Sequence, residues 1–202
     1  ATQPHVAAEL LEDVDVYSSH TASEIEAPPL AVVYFGFKRK DVEHPLDGLG
    51  FLAPESEKLS MSGSQFCSTM FPGRAPQDCV SMAGYFGGAR APELAQLPAA
   101  DLTEIARREF KDLVGAKGEP VVSRVRHWPR GLPQYKIGHT DRVQTMLKAN
   151  QRVPGLFLTG NYICGPSVAV CVDQAGKTAV NVANHLDAHV PSDMEQTQKA
   201  AM

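Results

Sequence analysis

The sequence lacks the polar machinery on which most side-chain catalysis rests. There is no GxSxG, no HExxH, no P-loop and no GxGxxG following a strand. Those absences leave out nucleophile-elbow hydrolysis, zinc proteolysis and the usual phosphate cradles. No two cysteines form a CxxC pair. The four, Cys67, Cys79, Cys164 and Cys171, read as reduced, buried, small hydrophobes. The histidines are dispersed. His185 and His189 share a helical i, i+4 spacing but have no third ligand beside them. The longest apolar run, Leu30 to Phe37, is far too short for a spanning helix. Lys and Arg lie scattered among acids, which speaks against nucleic acid as a partner. No signal or transit peptide is legible at the start, and the first residue is Ala, as in a processed or truncated chain.

What is present suffices for a packed core. The chain has 202 residues, 43% of them hydrophobic, with a net charge of −4. Residues 1 to 11 read as a strand end, a turn at Pro4 and a short helix. The acidic stretch from Glu12 to Pro29 reads as a connecting loop with a short helix inside it. LAVVYFGFK at Leu30–Lys38 has the β-branched and aromatic content of a central strand. After the turn at Asp47-Gly48, further strands are predicted at Leu49–Ala53, Gly63–Met70 and Cys79–Phe86. Short strands joined by short turns argue for an antiparallel sheet.

Leu102, Ile105, Ala106, Phe110, Leu113 and Val114 fall on one face of a helix from Asp101 to Val114, stopped by Gly115. Val121 to His127 alternates apolar and basic residues like a half-exposed strand. Thr140 is placed to cap a helix over 141–149. PGLFLTG, Pro154–Gly160, predicts a short buried strand. A glycine loop, NYICGPS, follows it, then a helix over Ser167–Leu186. Its inward face would be Val168, Val172, Ala175, Gly176, Ala179, Ala183 and Leu186, small enough for close approach to a sheet or ligand. Strand, glycine loop and helix together aim amides at developing negative charge or an electron-rich ring edge. Such units are also common without any ligand. If the chain serves catalysis, the chemistry is borrowed from a cofactor.

RHWPRGLPQYKIGH, followed by PGLFLTGNYICGPSVAVCVDQAGKTA, resembles the C-terminal signature of protoporphyrinogen oxidases, members of the flavin-containing amine oxidase family. GLGFLAPES, STMFPGRAP and GYFGGAR occur upstream in that family's order. The resemblance runs from Ala1 to about Leu186 and is nearest to plant and algal members. It implies an α/β plus α+β fold: part of an FAD-binding α/β domain joined to an antiparallel-sheet substrate domain. The dinucleotide-binding N-terminal half, with its GxGxxG, is absent. Residues 1–27 would be a returning segment of the FAD domain, 28–130 the substrate sheet, 131–188 the FAD-type C-terminal segment and 189–202 a polar tail.

The resemblance also implies roles. Gly160, Asn161, Gly165, Pro166, Ser167 and Val168 would face FAD, with Trp128 close to the flavin ring. Leu52, Gln65 and Tyr85 would line a tetrapyrrole pocket, Tyr85 stacking on a pyrrole. Taken without the resemblance, Trp128 would serve equally as a core filler and Tyr85 as a strand end. Three positions depart from the pattern. Pro166 removes an amide from the loop, Gln65 is polar in an apolar pocket, and Val170 stands where relatives carry a polar or charged residue.

The activity implied is stepwise oxidation of protoporphyrinogen IX to protoporphyrin IX in haem or chlorophyll synthesis. FAD is expected only with the missing half, and the setting is a plastid or a bacterial membrane surface. The expected partners are that half or another polypeptide, and the tetrapyrrole. The rival expectation is a degenerate, non-catalytic relative serving as a structural subunit of a larger complex.

Overall fold

The computed structural model describes residues 2–188, which divide into two compact units. One comprises residues 27–132; the other is built from 2–26 and 133–188.

The unit of residues 27–132 is a five-stranded antiparallel sheet covered on one side by a helix. Its strands are β1 (Leu30–Lys38), β2 (Gly50–Leu52), β3 (Met61–Gln65), β4 (Cys79–Gly87) and β5 (Val122–Trp128), in the order β2-β3-β4-β1-β5. β1 pairs with β4 from Leu30↔Gly87 to Lys38↔Cys79. Alternate side chains of β1 leave opposite faces of the sheet, so Ala31, Val33, Phe35 and Phe37 all point to one side and are buried. A helical turn at Cys67–Met70 (α3) follows β3, where the sequence had suggested that the strand continues to Met70.

The helix on the buried face is α4 (Ala99–Val114). It lays Leu102, Ala106, Phe110 and Val114 onto the sheet, with the Phe110 ring edge-on to Phe35 at 5.9 Å between centroids. Gly115 ends it in the left-handed conformation, φ 61°. Glu109 is buried yet satisfied: its carboxylate accepts the backbone N–H groups of Ser60 and Met61 at 2.8 and 2.9 Å. That contact pins the start of β3 to the helix.

The other unit is helical among its described residues: α1 (Pro4–Leu11), α2 (Val16–Ser23), α5 (His139–Leu147), α6 (Ala149–Arg152), α7 (Asn161–Cys164) and α8 (Val168–Ala188). Ala7, Ala8, Ala22, Ile25, Met146 and Tyr162 form its small core. Several sequence expectations are corrected here. Thr2 and Gln3 form no strand; Gln3 is extended (φ −72°, ψ 157°) and stands at the N-terminal end of α1. Thr140 caps nothing, because α5 starts one residue earlier, behind Gly138. Leu156 to Thr159 form no strand and are half-buried. A strand exists only through a neighbour's ladder, and none of the described residues supplies one to this segment.

α8 also differs from expectation. Its half-buried positions are Cys171, Gln174, Thr178 and His185, while Val168, Val172, Ala175, Gly176, Ala179, Ala183 and Leu186 are exposed. The small-residue face is therefore left exposed by the described residues. His189 and the expected polar tail lie outside them.

Candidate functional site

The sheet's second face carries the first group of candidate residues. Residues opposite one another in an antiparallel pair share a face, so Leu52↔Gly63, Gly63↔Tyr85, Tyr85↔Val32 and Val32↔Arg126 form one row across all five strands. Gly50, Gln65, Ala83, Tyr34 and Arg124 form the next row. All three predicted pocket residues, Leu52, Gln65 and Tyr85, thus stand on the face away from α4.

Gly63, buried between Leu52 and Tyr85, has no room for a side chain. A Cβ at Gly63 would come within 2.6 Å of the Phe51 carbonyl and 3.1 Å of the Leu52 side chain. Leu52 is 90% exposed, an unusual state for a leucine in a sheet. The Tyr85 hydroxyl donates to Gln65 Oε1 at 2.5 Å. Burial first, then the nearby Cys67, pushes the Tyr85 hydroxyl above its ordinary range, so it stays protonated and keeps donating. Gln65, polar in an otherwise apolar setting, thereby fixes the tyrosine ring.

Trp128 ends β5, paired with Leu30, on this same face and half-exposed. The Arg126 guanidinium lies over its ring at 5.0 Å. Sequence reasoning had not singled out Tyr34, Arg124 or Arg126 as site residues. The signal was the period-two alternation of SRVRHW and LAVVYFGFK, which places them outward once the buried face is known.

The second group sits on the helical unit. Gly160 has φ 154°, and a Cβ there would meet the buried Tyr162 ring at 2.8 Å. Only glycine lets the chain turn over that ring. The Tyr162 hydroxyl is raised by burial. Tyr135 donates its hydroxyl to the Asn161 carbonyl at 2.7 Å and holds the turn from outside. Beside it opens a hollow of about 340 Å³, lined by Thr2, Gln3, Thr159, Gly160, Asn161, Cys171 and Ala175.

Two features, one in this hollow and one beyond its lining at the start of α8, suit the donor and acceptor groups of a flavin's ring edge. Gln3 Oε1 is buried without a donor. The first α8 bond runs from the Cys171 N–H to the Ser167 carbonyl, so the amides of Val168, Ala169 and Val170 precede it and have no acceptor within the helix. Pro166 contributes no amide. Of the predicted cofactor residues, Gly160 and Asn161 line the hollow. Gly165, Pro166, Ser167 and Val168 lead from α7 into α8, and Trp128 belongs to the other unit.

Below the core, Arg152 grips Asp15 with two bonds, Nε to Oδ1 at 2.9 Å and a terminal nitrogen to Oδ2 at 2.6 Å. It also donates to Ser18 and to the Thr145 carbonyl. The Arg152 hydrogen bonds lower the Asp15 carboxyl from 3.8 to about 2. This network ties α2 to α5 and α6; it is structural support rather than chemistry.

The sequence matches the flavin-containing amine oxidoreductase family over residues 1–186. The chain belongs to that family. Among its relatives are the mitochondrial protoporphyrinogen oxidase of Nicotiana tabacum, 35% identical over 81% of this chain, and the chloroplastic enzyme of the same plant, 32% identical over 90%. Coproporphyrinogen III oxidase of Bacillus subtilis is 27% identical over 89%. These matches cover 33%, 35% and 38% of the relatives' own lengths, so the chain spans about a third of them. A solved structure from Exiguobacterium sp. 255-15, provisionally assigned to protoporphyrinogen oxidase, superposes with a TM-score of 0.76. It is 20% identical, with 93% of this chain and 40% of that one covered, and it establishes the shared fold. No helix among the described residues is long and apolar enough to cross a membrane.

Proposed function

We propose that this chain contributes the tetrapyrrole-binding sheet and a flavin-facing loop to an FAD-dependent porphyrinogen oxidase acting on protoporphyrinogen IX. The observation that carries this reading is the open sheet face. Leu52, Tyr85 and Val32 lie in one row, with Gly63 between Leu52 and Tyr85, an apolar strip suited to a flat substrate. Tyr85, locked by Gln65, offers its ring for stacking.

The chain's residues bind and orient; none of them has to act as a strong base, because porphyrinogen N–H protons can leave to solvent. When bound, FAD would supply the electron-accepting chemistry. Gln3, the Gly160–Asn161 turn and the amides of Val168 to Val170 would hold its ring edge. The adenine and pyrophosphate would depend on a dinucleotide-binding unit carrying GxGxxG.

Trp128, the single tryptophan, reports on the same face. Titration with protoporphyrin IX should quench its fluorescence saturably. Tyr85→Ala should weaken binding about five- to ten-fold, because an aromatic contact contributes about 0.5–1.5 kcal/mol beyond buried area. Leu52→Ala should weaken it less. Quenching that never saturates, or that ignores Tyr85→Ala while the fold stays intact, would contradict the reading.

A further inference from the structure

The cysteines at the glycine loop are not isolated hydrophobes. Cys164 closes α7, Cys171 lies in the first turn of α8, and their sulfurs are 3.8 Å apart. Both are free and only half-buried. Cys67, by contrast, is buried. Cys171 lines the hollow beside Gly160, so a small solute entering there reaches its sulfur.

The two positions are inequivalent. Cys171 is the fourth residue of a 21-residue helix, so its sulfur sits at the positively polarised end of α8. The Cys164 thiol points at the Cys171 sulfur and can donate to it. Cys164 also contacts the Gly160 carbonyl at 3.1 Å. Burial, followed by the neighbouring Cys171 sulfur, pushes the Cys164 thiol up. The pair therefore divides into a sulfur on the open side, at the start of α8, and a thiol held protonated behind it. The Cys171 thiol also donates to the Gly165 carbonyl at 3.4 Å.

We propose that Cys164 and Cys171 form a peroxide-reactive dithiol that closes to a disulfide within the loop. The Cys171 thiolate attacks one oxygen of a hydroperoxide; the S–O bond forms, the O–O bond breaks, and the departing oxygen leaves as water (or as an alcohol) after taking up a proton. Cys171 is then a sulfenic acid. The Cys164 sulfur attacks it, the S–S bond forms and the S–O bond breaks. Hydroxide leaves and combines with the Cys164 proton as water. Two thiols lose two electrons in total, and one peroxide gains them. The sulfurs need to close from 3.8 Å to about 2 Å, within reach of side-chain rotation across the short Gly165-Pro166-Ser167 link. This chemistry stands whether or not the hollow takes a flavin.

The test is thiol mapping after treating the folded chain with one equivalent of hydrogen peroxide, followed by alkylation and trypsin. Both cysteines fall in one peptide, Val153–Lys177, free of internal Lys and Arg. That peptide should emerge unalkylated and lighter by two hydrogens, while Cys67 and Cys79 are alkylated. A peptide with both thiols alkylated, or carrying only sulfinic acid, would overturn the proposal. The order is read from two variants. In Cys164→Ser a sulfenic-acid trap should label Cys171; in Cys171→Ser the labelling of Cys164 should be at least ten-fold lower. Equal labelling would overturn the assignment of Cys171 as the attacking sulfur.

Discussion

Asp15 shows how a single residue ties the helices of its unit together. Its side chain is 2% exposed, and its charge is tolerable only because Arg152 meets it with two hydrogen bonds. A carboxyl held near 2 in the folded chain and near 3.8 when unfolded contributes about 2 kcal/mol. That contribution is complete above about pH 4 and is lost as the pH falls through the folded value, because the unfolded state then binds the proton more readily. Arg152→Met should destabilise by about 3 kcal/mol, since it leaves a buried carboxylate unpaired. It should also flatten the acid limb of stability between about pH 4 and pH 2. Urea melts across that range check both statements; an unaltered acid limb in the variant would remove Asp15 from the account. Nothing local in the sequence marks this pair, whose members lie 137 positions apart. Partners at such separation become visible only once the fold brings them together. Tyr85 is the opposite case. The motif GYFGGAR pointed to it, and the structure added its partner, Gln65, which from sequence alone looked like an anomaly.

At the scale of elements, local pattern was legible wherever the partner lies within the chain. β1 occupies the predicted residues, and α4 ends at the predicted glycine. In both, the periodic apolar residues meet each other: Phe35 meets Phe110 across the sheet–helix interface. The reading failed where packing partners are not among the described residues. Pro154–Gly160 has strand composition but no ladder neighbour among the described residues, and α8 has a small-residue face that they leave exposed. Composition records the environment a segment is suited to; the observed conformation records the neighbours actually present. The outward side of α8 exposes Val168, Val172, Val180 and Leu186 at 80, 68, 59 and 61%. Apolar surface of this kind promotes association. Light scattering on the chain should give a mass above the monomer's, and Ala179→Glu, which would bury an unpaired charge in the contact, should lower it. A monomeric wild-type chain would contradict the expectation.

For the whole molecule, the family and the antiparallel sheet were legible because motifs and turn spacing are local in sequence. The chain spans about a third of the length of the relatives it matches. Expressed alone, the chain should leave gel filtration without flavin, because the dinucleotide fingerprint that grips adenine and pyrophosphate is not in it. Stoichiometric flavin retained through the column would contradict that.

The open sheet face is the central claim, because it separates a porphyrinogen-binding chain from a structural remnant of the same family. The most direct test is a two-dimensional NMR titration of the labelled chain with protoporphyrin IX. Shifts should concentrate at Leu52, Gly63, Gln65, Tyr85 and Val32, with Trp128 responding at the end of β5. Residues on the outer side of α4 should stay in place. Saturable shifts on that set would support the account; shifts confined to α8, or none at saturating porphyrin, would contradict it.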